Sequence, residues 1–442
     1  MKKLIVLLVV AAAQLFSQPK SPVADSVKAE FLHAWNGYKQ YAWGHDALKP
    51  LTKQPHDWYA TSLLLTPVDA YDTMLLMGLT AEANEAKKII FDSLSFNRNI
   101  SVQAFEIIIR VLGGLLSSYQ MDGDKRFLDL AEDLGKRLLP IYNSHTGMPY
   151  RYVNLKTGAI RDSVNNPAEI GTALLEFGTL SKLSGKPVYY EKAKNALVQL
   201  FNHRSRIGLV GTWINVETGE WTNKSSHISG AIDSYYEYLL KAWLLFEDNE
   251  CKKMWDESIR AIQVSLADTV HEGLWYRHVD MQTGRTTATE FGALDAFFPA
   301  VLSLAGDVER ARKLQESCYR MWNLHGIEPE EIDYAAMKAT DKRYYLRPEI
   351  IESAYYLYHY TGDERYRKMG ETFFRSIRQY CRTDAAYTVL RDVTTKEKAD
   401  GMESFFFAET LKYLFLLFAP KETLPFEATV FTTEAHPIRK TW

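Results

Sequence analysis

A chain of 442 residues, 46% hydrophobic and 24% charged, has ordinary globular composition and enough apolar material for a large core. Its net charge of −3 argues against a nucleic-acid-binding surface, and its three cysteines, with no Cys-x-x-Cys pair, argue against a structural zinc site. An aromatic content of 13% suits a carbohydrate platform and an ordinary core equally well.

At the N-terminus Lys2 and Lys3 precede an apolar run from Leu4 to Ala13, followed by Gln14-Leu15-Phe16-Ser17. This is a signal-peptide pattern, too short for a membrane span. Residues 1–17 are therefore expected to be removed, leaving 18–442 as one exported domain, periplasmic or extracellular. The Lys-Lys leader looks bacterial. No Cys follows the apolar run to carry a lipid, and no later stretch is long and apolar enough to span a bilayer.

Along the chain, amphipathic helices are expected near 24–41, 82–95, 124–139, 187–202, 249–267, 307–324 and 364–381. Helices apolar nearly all round are expected near 68–79, 103–121, 167–184, 229–246, 290–304, 347–361 and 401–418. A short turn joins each apolar helix to an amphipathic one, as in Met121-Asp122-Gly123-Asp124, Leu183-Ser184-Gly185-Lys186, Leu304-Ala305-Gly306-Asp307 and Tyr360-Thr361-Gly362-Asp363. Glycine ends one helix in the left-handed conformation, and Asp or Thr caps the next. One wet-faced layer around one buried layer predicts concentric helices, an all-α (α/α)7 barrel in which the unpaired helix at 24–41 closes the ring against 401–418.

The remaining connections are long. Three carry a shared turn, Asn154-Leu155-Lys156-Thr157-Gly158, Asn215-Val216-Glu217-Thr218-Gly219 and Asp280-Met281-Gln282-Thr283-Gly284, which predicts β-hairpins. All long loops fall at one end of the barrel, where a site is expected. Acidic residues open every inner helix at that end: Asp69 and Asp72, Glu106, Glu169, Asp233, Glu290, Glu349 and Glu352, and Glu403. A single acid there suits the helix macrodipole and needs no further explanation. A ring of them on the buried layer needs cations, and Arg110 and Arg347 supply only part. A polyhydroxyl ligand or a hard cation such as calcium would complete it. Paired carboxylates in an apolar well are also what glycoside cleavage requires, one as acid and one as base.

Several motifs resemble those of glycoside hydrolase family 47, the class I α-mannosidases, over about 24–438. They include Val68-Asp69-Ala70-Tyr71-Asp72-Thr73, Phe105-Glu106 through Arg110-Val111-Leu112-Gly113-Gly114, Asp233-Ser234-Tyr235-Tyr236-Glu237, Leu346-Arg347-Pro348-Glu349-Ile350-Ile351-Glu352, Met402-Glu403-Ser404-Phe405-Phe406 and Thr433-Glu434-Ala435-His436-Pro437. The resemblance implies an inverting, calcium-dependent exo-α-1,2-mannosidase acting on mannose-rich oligosaccharides as a monomer. It casts Glu106 as a general acid acting through a water, Glu349 as the base and Asp233 as a third catalytic carboxylate. Thr433 would hold Ca2+ through its hydroxyl and carbonyl. Arg110, Glu169, Arg347, Glu352, Glu409 and Glu434 would hold sugar and metal-bound waters, with Phe405 as an apolar floor.

The chain also departs from the family pattern. Gly292-Ala293 stands where the ER processing enzymes have Asp-His. Ala296 and Cys318 match the two positions of their disulfide, so the resemblance implies that this bridge is absent, and small Ala231 precedes Asp233 by two. Gly230-Ala231-Ile232-Asp233 and Pro329-Glu330 are nearer to the ER degradation-enhancing branch. The alternatives are a mannose-glycan-binding recognition module with little turnover, and a barrel glycosidase of other linkage specificity.

Overall fold

The short turns fold as their residues require. Gly123 and Gly362 adopt φ of 83° and 65°, a conformation that costs glycine nothing. The Asp that follows each turn caps the next helix, with Asp124 accepting from the Arg126 amide and Asp363 from the Arg365 amide. In the degenerate copy Glu247 itself takes φ 59°, and Asp248 caps through the amides of Glu250 and Cys251.

The computed structural model describes residues 21–442; the expected signal peptide lies outside them. Six helical hairpins follow in chain order, and the first and last helices make the seventh. Inner helices such as Leu65–Leu76 are buried on every face from Leu65 to Met74. Outer helices such as Lys125–Leu138 bury one stripe, Phe127, Leu128, Ala131, Leu134, Gly135 and Leu138. Pro22–Ala42 packs on Leu411–Phe418 and closes the ring. The barrel is (α/α)7.

Four three-stranded sheets cover the long-loop end. The hairpins at 152–161, 213–223 and 278–288 form, and each recruits a strand from a neighbouring loop: Ser101–Gln103 pairs with Tyr152–Asn154, and Ser225–Ser226 with His278–Asp280. This stitching between loops has no local signal. Among the described residues no helix is long and apolar enough to cross a membrane, and Cys251, Cys318 and Cys381 are buried free thiols.

The structure departs from the sequence reading in four places. Residues 290–293 are not helical, and Leu294–Phe297 is only a 3-10 turn. Glu290–Gly292 is a strand paired with Glu331–Asp333, and the α-helix starts only at Phe298, where Pro299 suits a first turn. The inner helix over 167–184 breaks between Gly171 and Leu174. Two inner helices carry wider π-helical turns, Ile107–Leu112 and Phe406–Thr410, around Arg110 and Glu409. Finally, residues after 418, to which no element was assigned, form a hairpin, Thr429–Phe431 with Pro437–Arg439. It rises inside the barrel from the short-turn end, where Arg439 bonds Gln120 and Lys440 pairs with Glu247.

Candidate active site

A cavity of about 360 Å³ opens at the long-loop end. It is lined by all eleven residues singled out for the site: Glu106, Arg110, Glu169, Asp233, Arg347, Glu349, Glu352, Phe405, Glu409, Thr433 and Glu434. Backbone strain concentrates where the chain enters this wall. Leu64, Ala231, Leu346 and Ala435 all have φ between 55° and 73°, immediately beside the inner helices or the hairpin tip that carry the acids. The Ala231 carbonyl is held by the Ala168 amide at 2.9 Å, which ties the Asp233 entry loop to the helix bearing Glu169.

Two guanidiniums organise the floor. Arg110 lies between the rings of Trp58, 5.3 Å away, and Phe405, 5.6 Å away. It bonds Glu106 through Nε at 3.0 Å and is paired with Glu434. Arg347 covers the Phe405 ring at 5.9 Å and grips Glu330 through Nε and Nη2. Phe405 is thus an apolar plate fixed by cation–π contacts with both. Glu169 is saturated by Gln103, Arg151 and Asn166, whose own side-chain oxygen caps the Glu169 amide.

Eight carboxylates but only these two guanidiniums line the cavity. Burial raises Asp233 to about 7, with the charges of Glu237 and Asp295 adding to it. Burial raises Glu349 to about 7 although Arg347 opposes the shift, and one Glu349 oxygen has no partner. Burial lifts Glu352 to about 8, against the pull of Lys241. Glu409 and Glu434 go well above the carboxylate range through burial, and mutual repulsion adds to the rise of Glu409.

This excess of negative charge suits a hard cation. The Thr433 amide donates to the Tyr238 hydroxyl at 3.1 Å, while its own hydroxyl has no partner among the described residues. No cluster of three or more His, Cys, Asp or Glu among the described residues could chelate a metal directly. A Ca2+ ion would therefore take the Thr433 oxygens and waters held by surrounding carboxylates, among them Glu352, Glu409 and Glu434. The donor set fits, and the ion would supply Lewis acidity and orient sugar hydroxyls.

Not every acid expected on the wall reaches the cavity. Asp69 and Asp72 are wholly buried behind it, bonded to His436, with Lys412 at 2.8 Å from Asp72 and Ser404 on Asp69. Glu403 accepts from Trp58 Nε1 at 2.9 Å. Glu290 faces His278 from the rim, 3.7 Å away, and Asp295 takes the buried place beside Asp233. The missing cations are thus Lys412, His436 and Lys241; the first two stand in chain positions that give no hint of their partners, some 340 to 370 residues away.

Among the lining residues that sequence reasoning missed, Glu237 had a readable signal. It lies one turn after Asp233 on the same helix face and pairs with Lys241 one turn further on. Gln103 and Asn166 carried none, nor did Trp58, which lies behind the lining against Arg110.

Carboxylates in a well whose aromatic plate is clamped by two arginines suit the binding and chemistry of a sugar. The model for glycosyl hydrolase family 47 matches residues 30–440, and the chain belongs to that family. It is 36% identical to ER degradation-enhancing alpha-mannosidase-like protein 2 of Mus musculus, over 94% of this chain and 77% of that protein. It is 35% identical to mannosyl-oligosaccharide 1,2-alpha-mannosidase IB of Homo sapiens, over 94% of this chain and 69% of that protein. Among solved structures it superimposes on the alpha-1,2-mannosidase from Trichoderma reesei with a TM-score of 0.87 at 28% identity, covering 95% and 99% of the two chains.

Proposed function

We propose that this chain is an inverting exo-α-1,2-mannosidase that removes terminal α-1,2-linked mannose from mannose-rich glycans and depends on calcium. The observation that carries the reading is the convergence of Glu106, Asp233 and Glu349 with Thr433 in one blind cavity sized for a terminal sugar. A blind well favours a chain end over an internal residue. Glu349, with one free oxygen and a pKa near 7, takes a proton from the attacking water. Glu106, held by Arg110, is the general acid: its carboxyl proton passes to a water as that water gives one of its own to the leaving oxygen. Asp233, raised to about 7 by burial, is the third catalytic carboxylate. Phe405 supports the apolar face of the ring. We read the protein as an exported monomer whose single domain, 18–442, follows a cleaved leader.

The test uses α-1,2-linked mannobiose, with calcium and with a chelator. Mannose release in calcium and its loss on chelation are expected. Glu349→Gln is expected to lower kcat at least about 100-fold with an unchanged melting temperature. Binding without release under either condition would transfer the chain to the recognition-module reading. Turnover of other linkages in preference would transfer it to the alternative glycosidase.

A further inference from the structure

A second groove, of about 920 Å³, lies apart from the catalytic cavity. It is formed by the loop after the helix Val188–Asn202, the C-terminal half of Asn249–Ser265 and the turn of the 278–288 hairpin. Four arginines line it, Arg204, Arg206, Arg260 and Arg277, against a single carboxylate, Glu257. That leaves three uncompensated positive charges in a chain whose net charge is −3.

Arg204 is committed, to Glu257 at 2.8 Å and to the Phe201 carbonyl at 2.9 Å. Arg260 and Arg277 use only Nε, on the carbonyls of Asp256 and Ser265, so their terminal nitrogens are free among the described residues. Arg206 is exposed and has no partner among them. No carboxylate among the described residues pairs with Arg206, Arg260 or Arg277. Between the guanidiniums, Val264 is 82% exposed and Ile207 is 38% exposed. Planar guanidiniums with free forks bind phosphate oxygens in pairs, and small aliphatic patches beside them suit the C–H faces of sugar rings.

One wall of the groove is tied to a loop of the catalytic cavity through the chain. The 278–288 hairpin that forms one wall pairs through Val279 and Asp280 with Ser226 and Ser225. From there the chain runs directly to the Ser229–Asp233 loop, where the Asp233 amide donates to the Ser229 carbonyl.

We propose that this groove is a second binding site, for glycans bearing phosphate groups, and that it retains such a polymer while a terminal residue occupies the catalytic cavity. The retention half rests on the mannosidase reading; the binding half does not. Two-point attachment raises the local concentration of chain ends without any new contact at the reacting bond.

The test is affinity electrophoresis of the full chain in gels containing phosphorylated mannan, or the same mannan after removal of its phosphate. Retardation by the phosphorylated polymer is expected. It should fall at least 10-fold in strength in the Arg206→Gln, Arg260→Gln, Arg277→Gln triple variant and weaken as salt rises. Hydrolysis of α-1,2-mannobiose by the triple variant should match wild type, which shows that it is folded. Equal retardation by both polymers, undiminished retardation of the triple variant, or comparable retention by poly-glutamate overturns the proposal. Phosphate-dependent retardation in a protein that releases no mannose would uphold the site and refute the catalytic reading.

Discussion

His436 stands buried between two carboxylates, its Nε2 at 3.1 Å from Asp69 and its Nδ1 at 2.7 Å from Asp72. Burial alone would push its pKa down, but the two acids outweigh it and raise it to about 9. Asp72 is drawn down to about 2: burial opposes the shift, and Lys412 and His436 overcome it. The His436 contribution to stability is fully present below its unfolded pKa of about 6.5 and disappears as pH rises through its folded value. The Asp72 contribution is present above about 3.9 and is lost as pH falls through its folded value. The melting temperature is therefore expected to decline from pH 6.5 to 9. His436→Gln should melt lower and show a flatter decline; a slope equal to wild type would remove the triad as its cause. Activity has a separate dependence. Glu349 acts as a base only when ionised, so kcat/KM is expected to fall about tenfold per pH unit below its pKa of about 7. An acid limb centred near 4 would show that the base is another group.

Elements meet in this barrel at distances that only small residues permit. In the helix Pro22–Ala42, a Cβ on Gly37 would lie 1.8 Å from the Ala385 carbonyl oxygen, a backbone atom that cannot step aside. Gly37→Ala is expected to cost about 1–3 kcal/mol or more by forcing that helix off the loop. Gly401→Ala, whose Cβ would meet only Val389 at 3.7 Å, is the control and should stay within about 0.5 kcal/mol. Denaturant midpoints measure both, and equal shifts would discard the close-approach argument. At this scale the sequence reading was strongest for the hairpin turns and outer helices. The π-helical turns at Arg110 and Glu409 escaped it because a wider turn leaves apolar periodicity almost unchanged over five or six residues. The strand at 290–292 escaped it because its partner, Glu331–Asp333, lies some forty residues away and is visible only after folding.

At the scale of the whole molecule, a closed ring makes every hairpin a neighbour of two others, and the first helix of the chain completes the last. Phe31 meets Phe407 edge-on at 5.1 Å, and Trp35 meets the same ring at 5.8 Å. Phe407→Ala is expected to cost about 3–5 kcal/mol while keeping one cooperative denaturant transition. Two separated transitions would mean that the hairpins unfold as independent units. The C-terminal hairpin adds a second closure. It brings Thr433 and Glu434 to the cavity and His436 to the acid pair, so the site is assembled from the chain's last residues as well as its inner wall.

Repeats, turn chemistry and the contrast between wet-faced and buried helices are local properties, so the barrel, its two layers and the end at which the acids gather were legible along the chain. Motif resemblance went further and singled out eleven residues that the fold brings to one cavity. Partnership was beyond its reach. Whether an acid on the inner wall faces the cavity, as Glu349 does, or is consumed by a buried cation, as Asp72 is by Lys412 and His436, depends on residues hundreds of positions apart. The closed ring settles it, because the cost of an unpaired buried charge depends on whichever group the fold places beside it.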